Sequence, residues 1–193
     1  MNAVDLVPAS EVVAGCIEIY DGVINNYQEL IDIAESQAKW SDAGIFTGPD
    51  SSGSEVNKNI RSNMTLAIDQ FSYTVDPKFY EMCKTVWFYC DNYANKYEIP
   101  FYATEPAQIL KYAPGEFYDP HCDAGPNVPR VVSALLYLND VEEGGETEFV
   151  NFDIKVKPKA GRLVIFPSNY AYRHAARLPK SGYKYVAVFW MRG

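Results

Sequence analysis

Arg130-Val131-Val132-Ser133-Ala134-Leu135-Leu136-Tyr137-Leu138-Asn139-Asp140 is a β-branched and aliphatic run closed by an Asn-Asp pair. It reads as a short strand over Val131–Asn139. Seven further short segments of the same kind follow Pro100: Ala107–Ala113, Phe117–His121, Thr147–Val150, Asp153–Lys157, Arg162–Phe166, Tyr172–Arg177 and Tyr183–Met191. Turn clusters separate them at Pro114-Gly115, Gly125-Pro126, Gly144-Gly145, Pro158-Lys159-Ala160-Gly161 and Ser181-Gly182. Short strands at this spacing predict an antiparallel sandwich or jelly roll, not a parallel α/β sheet.

Upstream the pattern changes. Cys16–Tyr20 reads as a short strand, and Tyr27–Ala34 as a helix with Asp21, Asn25 or Asn26 as its cap. Residues 41–60 are rich in Gly, Ser, Asp and Asn without apolar periodicity, which suits a substrate-covering lid or an ordinary surface loop. From Asp76-Pro77 to about Tyr97, Phe79, Met82, Cys83, Val86, Tyr89 and Cys90 recur at helical spacing, so this helix is expected to back a sheet. The expectation is one domain over 1–193, mainly β with supporting helices: a helix-rich part over 1–105 and a β core over 106–193.

Bulk properties exclude several classes. With 193 residues the chain suits one domain with a real core. A net charge of −8 repels phosphate backbones, so nucleic acid is not an expected partner. Fifteen tyrosines are many for a core and suggest that some phenols line a polar cavity. Cys16, Cys83, Cys90 and Cys122 form no C-x-x-C pair and suit a reducing compartment, with Cys83 and Cys90 as small core residues on one helix face. Residues 1–10 show no leader pattern, and no apolar run reaches the ~20 residues of a membrane span. A cytoplasmic monomer without membrane contact is expected.

The chain has two histidines, one of them in His121-Cys122-Asp123 and the other in Arg173-His174-Ala175-Ala176. Residues i and i+2 of a strand point the same way, so His121 and Asp123 aim together, and His174 on a later strand can lie opposite. Two imidazoles and one carboxylate are the donor set that holds non-heme Fe(II) with positions left open. Zinc accepts the same donors. Lys184, inside the apolar segment Tyr183–Trp190, offers a cation for an anionic co-substrate.

The surrounding residues decide between the two ions. Gln108-x-x-x-Tyr112-x-x-Gly115-x-x-Tyr118-x-x-His121-x-Asp123 resembles the iron-binding signature of the prolyl 4-hydroxylase family. Arg130 to Asp140, Val141-Glu142-Glu143-Gly144-Gly145-Glu146-Thr147, Lys157 to Arg162 and Arg173-His174-Ala175-Ala176 continue the likeness over roughly residues 107–192, with Lys184 at the family's spacing. Arg61-Ser62 resembles an upstream R-x-S element.

The resemblance implies a double-stranded β-helix, of jelly-roll or cupin type, backed by the N-terminal helices. It implies that His121, Asp123 and His174 bind Fe(II), and that Lys184, Thr147 and Tyr112 hold the distal carboxylate of 2-oxoglutarate. O2 would be the second co-substrate and ascorbate an accessory factor. Tyr118, Arg130 and Trp190, with Arg61, would face a proline-containing peptide, Arg130 bonding a peptide carbonyl. Succinate and CO2 would accompany hydroxylation. Two departures concern the substrate: Arg192 stands where plant-type members carry histidine, and Asn63 where a serine is expected. They leave open another side chain, a free amino acid or a small metabolite as target. A binding module without activity and a zinc hydrolase fit the lysine–threonine pair less well.

Overall fold

The computed structural model describes residues 7–47, 53–70, 72 and 74–193, so the expectations for residues 1–10 and 41–60 lie partly outside the described residues. In chain order come β1 (Glu11–Val13), β2 (Ile17–Tyr20), α1 (Tyr27–Ser36), β3 (Ser41–Asp42), β4 (Ile45–Thr47) and β5 (Gly53–Glu55). Next are β6 (Met64–Ile68), α2 (Pro77–Lys96), β7 (Ala103–Thr104), β8 (Ala107–Tyr112), β9 (Tyr118–His121) and β10 (Arg130–Tyr137). The chain closes with β11 (Thr147–Phe149), β12 (Ile154–Val156), β13 (Leu163–Pro167), β14 (His174–Ala176) and β15 (Lys184–Arg192).

The paired strands are antiparallel. The larger sheet runs β1-β2-β13-β10-β15-β8-β6-β3, with β7 on the end of β15, and the smaller one β12-β11-β14-β9. Period-two alternation explains why β10 and β15 read as continuous apolar runs. Val132, Ala134 and Leu136 of β10, with Tyr185, Ala187, Phe189 and Met191 of β15, join one buried cluster with Leu30, Ile31 and Ala34 of α1 and Phe79, Met82, Cys83, Val86, Cys90 and Tyr93 of α2. The alternate residues Tyr137, Val186, Val188 and Trp190 join a second cluster with Phe149 and Val156 of the smaller sheet. The larger sheet therefore has two buried faces, and the cleft between the sheets is the place for a site.

Local chemistry sets the helix starts. Asp76 accepts a hydrogen bond from Lys78 N (2.8 Å), with Pro77 at the first helical position. Asn26 stands at the cap of α1 but its side chain makes no capping bond, and Asp21 is drawn off to Arg162 and Lys159. Residues 41–60 are less irregular than their composition suggests: β3 joins the large sheet, and β4 and β5 pair as a hairpin. β6, in which Leu66 and Ile68 turn into the core while Ala67 between them is exposed, lies beside β8. Where a strand is expected from Tyr172, Tyr170–Tyr172 form a 3-10 turn and the strand begins at His174. All four cysteines are free, with Cys83 and Cys90 buried. No helix of the described residues is long and apolar enough to cross a membrane.

Candidate active site

β9 and β14 are neighbours, and His121 and His174 are direct partners across them. Asp123 follows two residues after the end of β9. His121 Nε2 lies 3.7 Å from one Asp123 carboxylate oxygen and His174 Nε2 3.7 Å from the other. These separations exceed hydrogen-bond reach, and the three donors lie within 4.8 Å of one another.

The outer contacts fix their orientation. His121 Nδ1 donates to Asp119 O (2.8 Å) and His174 Nδ1 to Tyr172 O (3.1 Å). Carbonyl oxygens only accept, so each Nδ1 carries the hydrogen and each Nε2 turns a lone pair inward. Ser133 Oγ donates to Asp123 Oδ2 (2.6 Å) and lies 2.8 Å from Ser168 Oγ. Burial, then His174, pushes His121 down to about 3, keeping it neutral. Burial opposes ionisation of Asp123, but His174, His121, Arg130 and the Ser133 hydroxyl bring it down to about 2. A neutral His121 and an ionised Asp123 are in the protonation states a divalent cation requires of such ligands.

A cavity of about 230 Å³ opens from this triad, and Lys184, Thr147 and Tyr112 line it. Lys184 is 1% exposed, opposite Tyr112 on β8, with its Nζ 5.1 Å from the Tyr112 ring centre and 5.5 Å from that of Tyr137. No carboxylate lies within ion-pair distance of it among the described residues. Burial pushes the ammonium down to about 7 against the opposing pull of Glu146. Thr147 Oγ1 accepts from Tyr137 OH (2.7 Å), so Tyr137 sits behind the threonine and is not among the cavity-lining side chains. The turn before Thr147 needs glycine: Gly144 has φ +77°, and a Cβ there would meet Leu178 O at 2.3 Å. A buried, uncompensated cation beside a hydroxyl is a receptor for a carboxylate.

At the mouth, the Tyr118 ring stacks on His121 with centres 3.6 Å apart, and the Arg61 guanidinium lies 4.6 Å over Tyr118. Arg61 donates to Asn63 Oδ1 and to Gly44 O, both at 2.9 Å. The unexpected Asn63 thus serves as an anchor for Arg61. Arg130 stacks on Trp190 at 3.8 Å, with Phe46 of β4 5.6 Å from its guanidinium. Its Nε and Nη2 donate to the two oxygens of Glu105 (3.0 and 2.5 Å), and Nη1 makes no hydrogen bond among the described residues. Trp190 is 8% exposed; it packs in the inter-sheet cluster and also lines the cavity.

All ten residues singled out in the sequence thus come to one cleft. Ser133, Glu105 and Phe46 were not among them. Ser133 had a signal, as the one polar side chain inside the apolar run of β10; Glu105 and Phe46 had none.

Residues 107–192 match the 2OG-Fe(II) oxygenase superfamily model. Over 185 residues the chain is 29% identical to an Acanthamoeba polyphaga mimivirus protein named for prolyl 4-hydroxylase activity, covering 86% of this chain and 68% of that one. It is 35% identical over 117 residues to prolyl 4-hydroxylase 13 of Arabidopsis thaliana, covering 46% of this chain and less than half, 43%, of the plant protein. Its fold matches that of a Trichoplax adhaerens prolyl hydroxylase solved with a hypoxia inducible factor peptide: TM-score 0.74, 16% identity, 93% of this chain and 84% of that one. The matched segment spans every strand that carries the triad, Thr147 and Lys184, and over it the chain is similar to 2-oxoglutarate- and Fe(II)-dependent oxygenases, prolyl 4-hydroxylases among them.

Proposed function

We propose that this oxygenase hydroxylates proline residues in peptides or proteins. The observation that carries this reading is the single cleft in which the triad, a buried unpaired lysine and two arginine–aromatic stacks converge. His121, Asp123 and His174 would hold Fe(II), with Ser133 and the two backbone carbonyls keeping them in place. With that ion and O2 bound, oxidative decarboxylation of 2-oxoglutarate to succinate and CO2 supplies the oxidising power for inserting oxygen into a C–H bond.

This chain's own part is positioning. Lys184 and Thr147 would pair the distal carboxylate of 2-oxoglutarate, with Tyr112 closing the wall beside it. Tyr118 and Trp190 would form two aromatic walls for a proline ring, and Arg130 Nη1 would donate to a peptide carbonyl. Arg61 holds Tyr118 from behind. A peptide as ligand is in keeping with the Trichoplax prolyl hydroxylase, which was solved with a peptide fragment. We also read the two sheets as a double-stranded β-helix with α1 and α2 against the larger sheet, and residues 1–193 as one domain.

The test is aerobic incubation of a proline-rich peptide with Fe(II) and 2-oxoglutarate. A gain of one oxygen on proline, located by mass spectrometry and matched by succinate, is expected. Succinate without any modified proline would overturn the proline assignment, and His174→Ala should abolish succinate formation altogether.

A further inference from the structure

We infer that the substrate carries a carboxylate beside the residue to be oxidised, and that Arg192, with Arg130, selects it. This rests on the peptide reading above and narrows it. β15 presents one face to the cleft: Lys184, Val186, Val188 and Trp190 all line the cavity. Alternation places Arg192, two residues beyond Trp190, on the same face at the rim. Its Cα partner across the sheet is Arg130.

Two guanidinium groups therefore share one acid. Glu105 receives both nitrogens of its bidentate bond from Arg130, and Arg192 Nε reaches only to 3.8 Å of the same carboxylate. That Nε is buried and has no hydrogen-bond partner among the described residues. Arg61, the third cation at the mouth, bonds an amide oxygen and a backbone carbonyl, not a carboxylate. Three cations thus face one anion.

The deep site does not use the surplus. Among the described residues Asp123 is the one acid lining the cavity, and it belongs to the triad. A divalent ion on the triad nets +1, Lys184 adds +1, and the two carboxylates of 2-oxoglutarate cancel both. The rim keeps its excess, on a chain whose net charge is −8. A localised positive rim repels basic segments and attracts an anion, and the Arg192 side chain, 40% exposed and with no hydrogen bond from its terminal nitrogens among the described residues, offers a fork for a carboxylate. The carboxylate can come from an Asp or Glu side chain or from a chain terminus.

Four peptides of one proline-containing sequence separate these sources: Asp next to proline, its Asn twin, and each with a free or amidated C-terminus. Binding is measured by fluorescence anisotropy on the metal-free protein, and KM by product mass spectrometry. Asp over Asn by about tenfold in both, shrinking as salt rises, is expected for an acidic side chain. Free over amidated terminus by the same factor would name the terminus instead. Arg192→Gln should bring the ratio near one, and Arg192→Lys should keep most of it. Equal binding of all four peptides would overturn the inference while leaving proline hydroxylation standing. Carboxylate-selective binding without hydroxylated proline would sink the proline assignment and leave the selection intact.

Discussion

Lys184 is the residue whose burial has the most to say about function. An ammonium 1% exposed, with the Tyr112 and Tyr137 rings beside it and no carboxylate at ion-pair distance among the described residues, is costly until an anion arrives. Its folded-state value of about 7 lies well below the ~10.4 of an unfolded lysine. Between those values the unfolded chain binds more protons, so stability without ligand should rise with pH across that window. Carboxylate binding needs the charged form. Above pH 7 it must therefore take up a proton, and 2-oxoglutarate affinity should fall about tenfold per pH unit while staying flat below. Calorimetry on the Mn(II) protein at pH 6.5, 7.5 and 8.5, in buffers of different ionisation enthalpy, reads both the slope and the proton. Lys184→Arg, always charged, should flatten the slope; an unchanged slope would remove Lys184 as its source. Ser133 has a comparable role behind Asp123: Ser133→Ala removes a 2.6 Å hydrogen bond from the carboxylate and should weaken metal affinity about tenfold in a competition titration. The triad and Lys184 could be read in the sequence because their chemistry is unusual. Ser133 and Glu105 could not be assigned, because their importance lies in partners 10 and 25 residues away.

Strands with two buried faces were the most legible elements. β10 and β15 are apolar on both faces apart from Ser133 and the charged residues at their ends, so those ends fall within a residue or two of the expected ones. Short strands flanked by Gly-, Ser- and Asn-rich sequence were not: β4 and β5 gain their order from pairing with each other, and β6 from β8 and β3. None of that pairing leaves periodicity in the sequence. The start of α2 was readable because its cap is local. Asp76→Ala should remove the bond to Lys78 N and cost about 1 kcal/mol, seen as a lower urea midpoint at unchanged slope. Activity should be untouched, because α2 lies against the face of the large sheet opposite the cleft. A loss of 2-oxoglutarate affinity in this variant would mean that α2 also shapes the cavity.

At the scale of the molecule, the N-terminal segment is fastened to α2 and to the later strands by buried and surface polar contacts as well as apolar ones. Tyr93 OH donates to Cys16 O at 2.6 Å, and the buried Glu18 accepts from Lys96 and Tyr97. At the end of β2, Asp21 accepts from Arg162 Nε (2.7 Å), Arg162 Nη2 (3.1 Å) and Lys159 Nζ (2.9 Å), across 138 residues of chain or more. The sequence gives no hint of such a distant clasp and offered Asp21 as a helix cap. Arg162, against the opposing effect of burial and with help from Lys159, holds the Asp21 carboxyl down at about 2. A depressed carboxylate stabilises the fold above its unfolded value, ~3.9, and loses that contribution as pH falls through 2. The side chain is 31% exposed, so the contribution is discounted for solvent screening to about 1 kcal/mol. Asp21→Asn should therefore lower the urea midpoint equally at pH 6, 7 and 8. The gap from the parent protein should narrow below pH 4 and nearly close at pH 2. A gap that persists at pH 2 would show that Asp21 contributes through packing or neutral hydrogen bonds, with charge playing no part in the clasp.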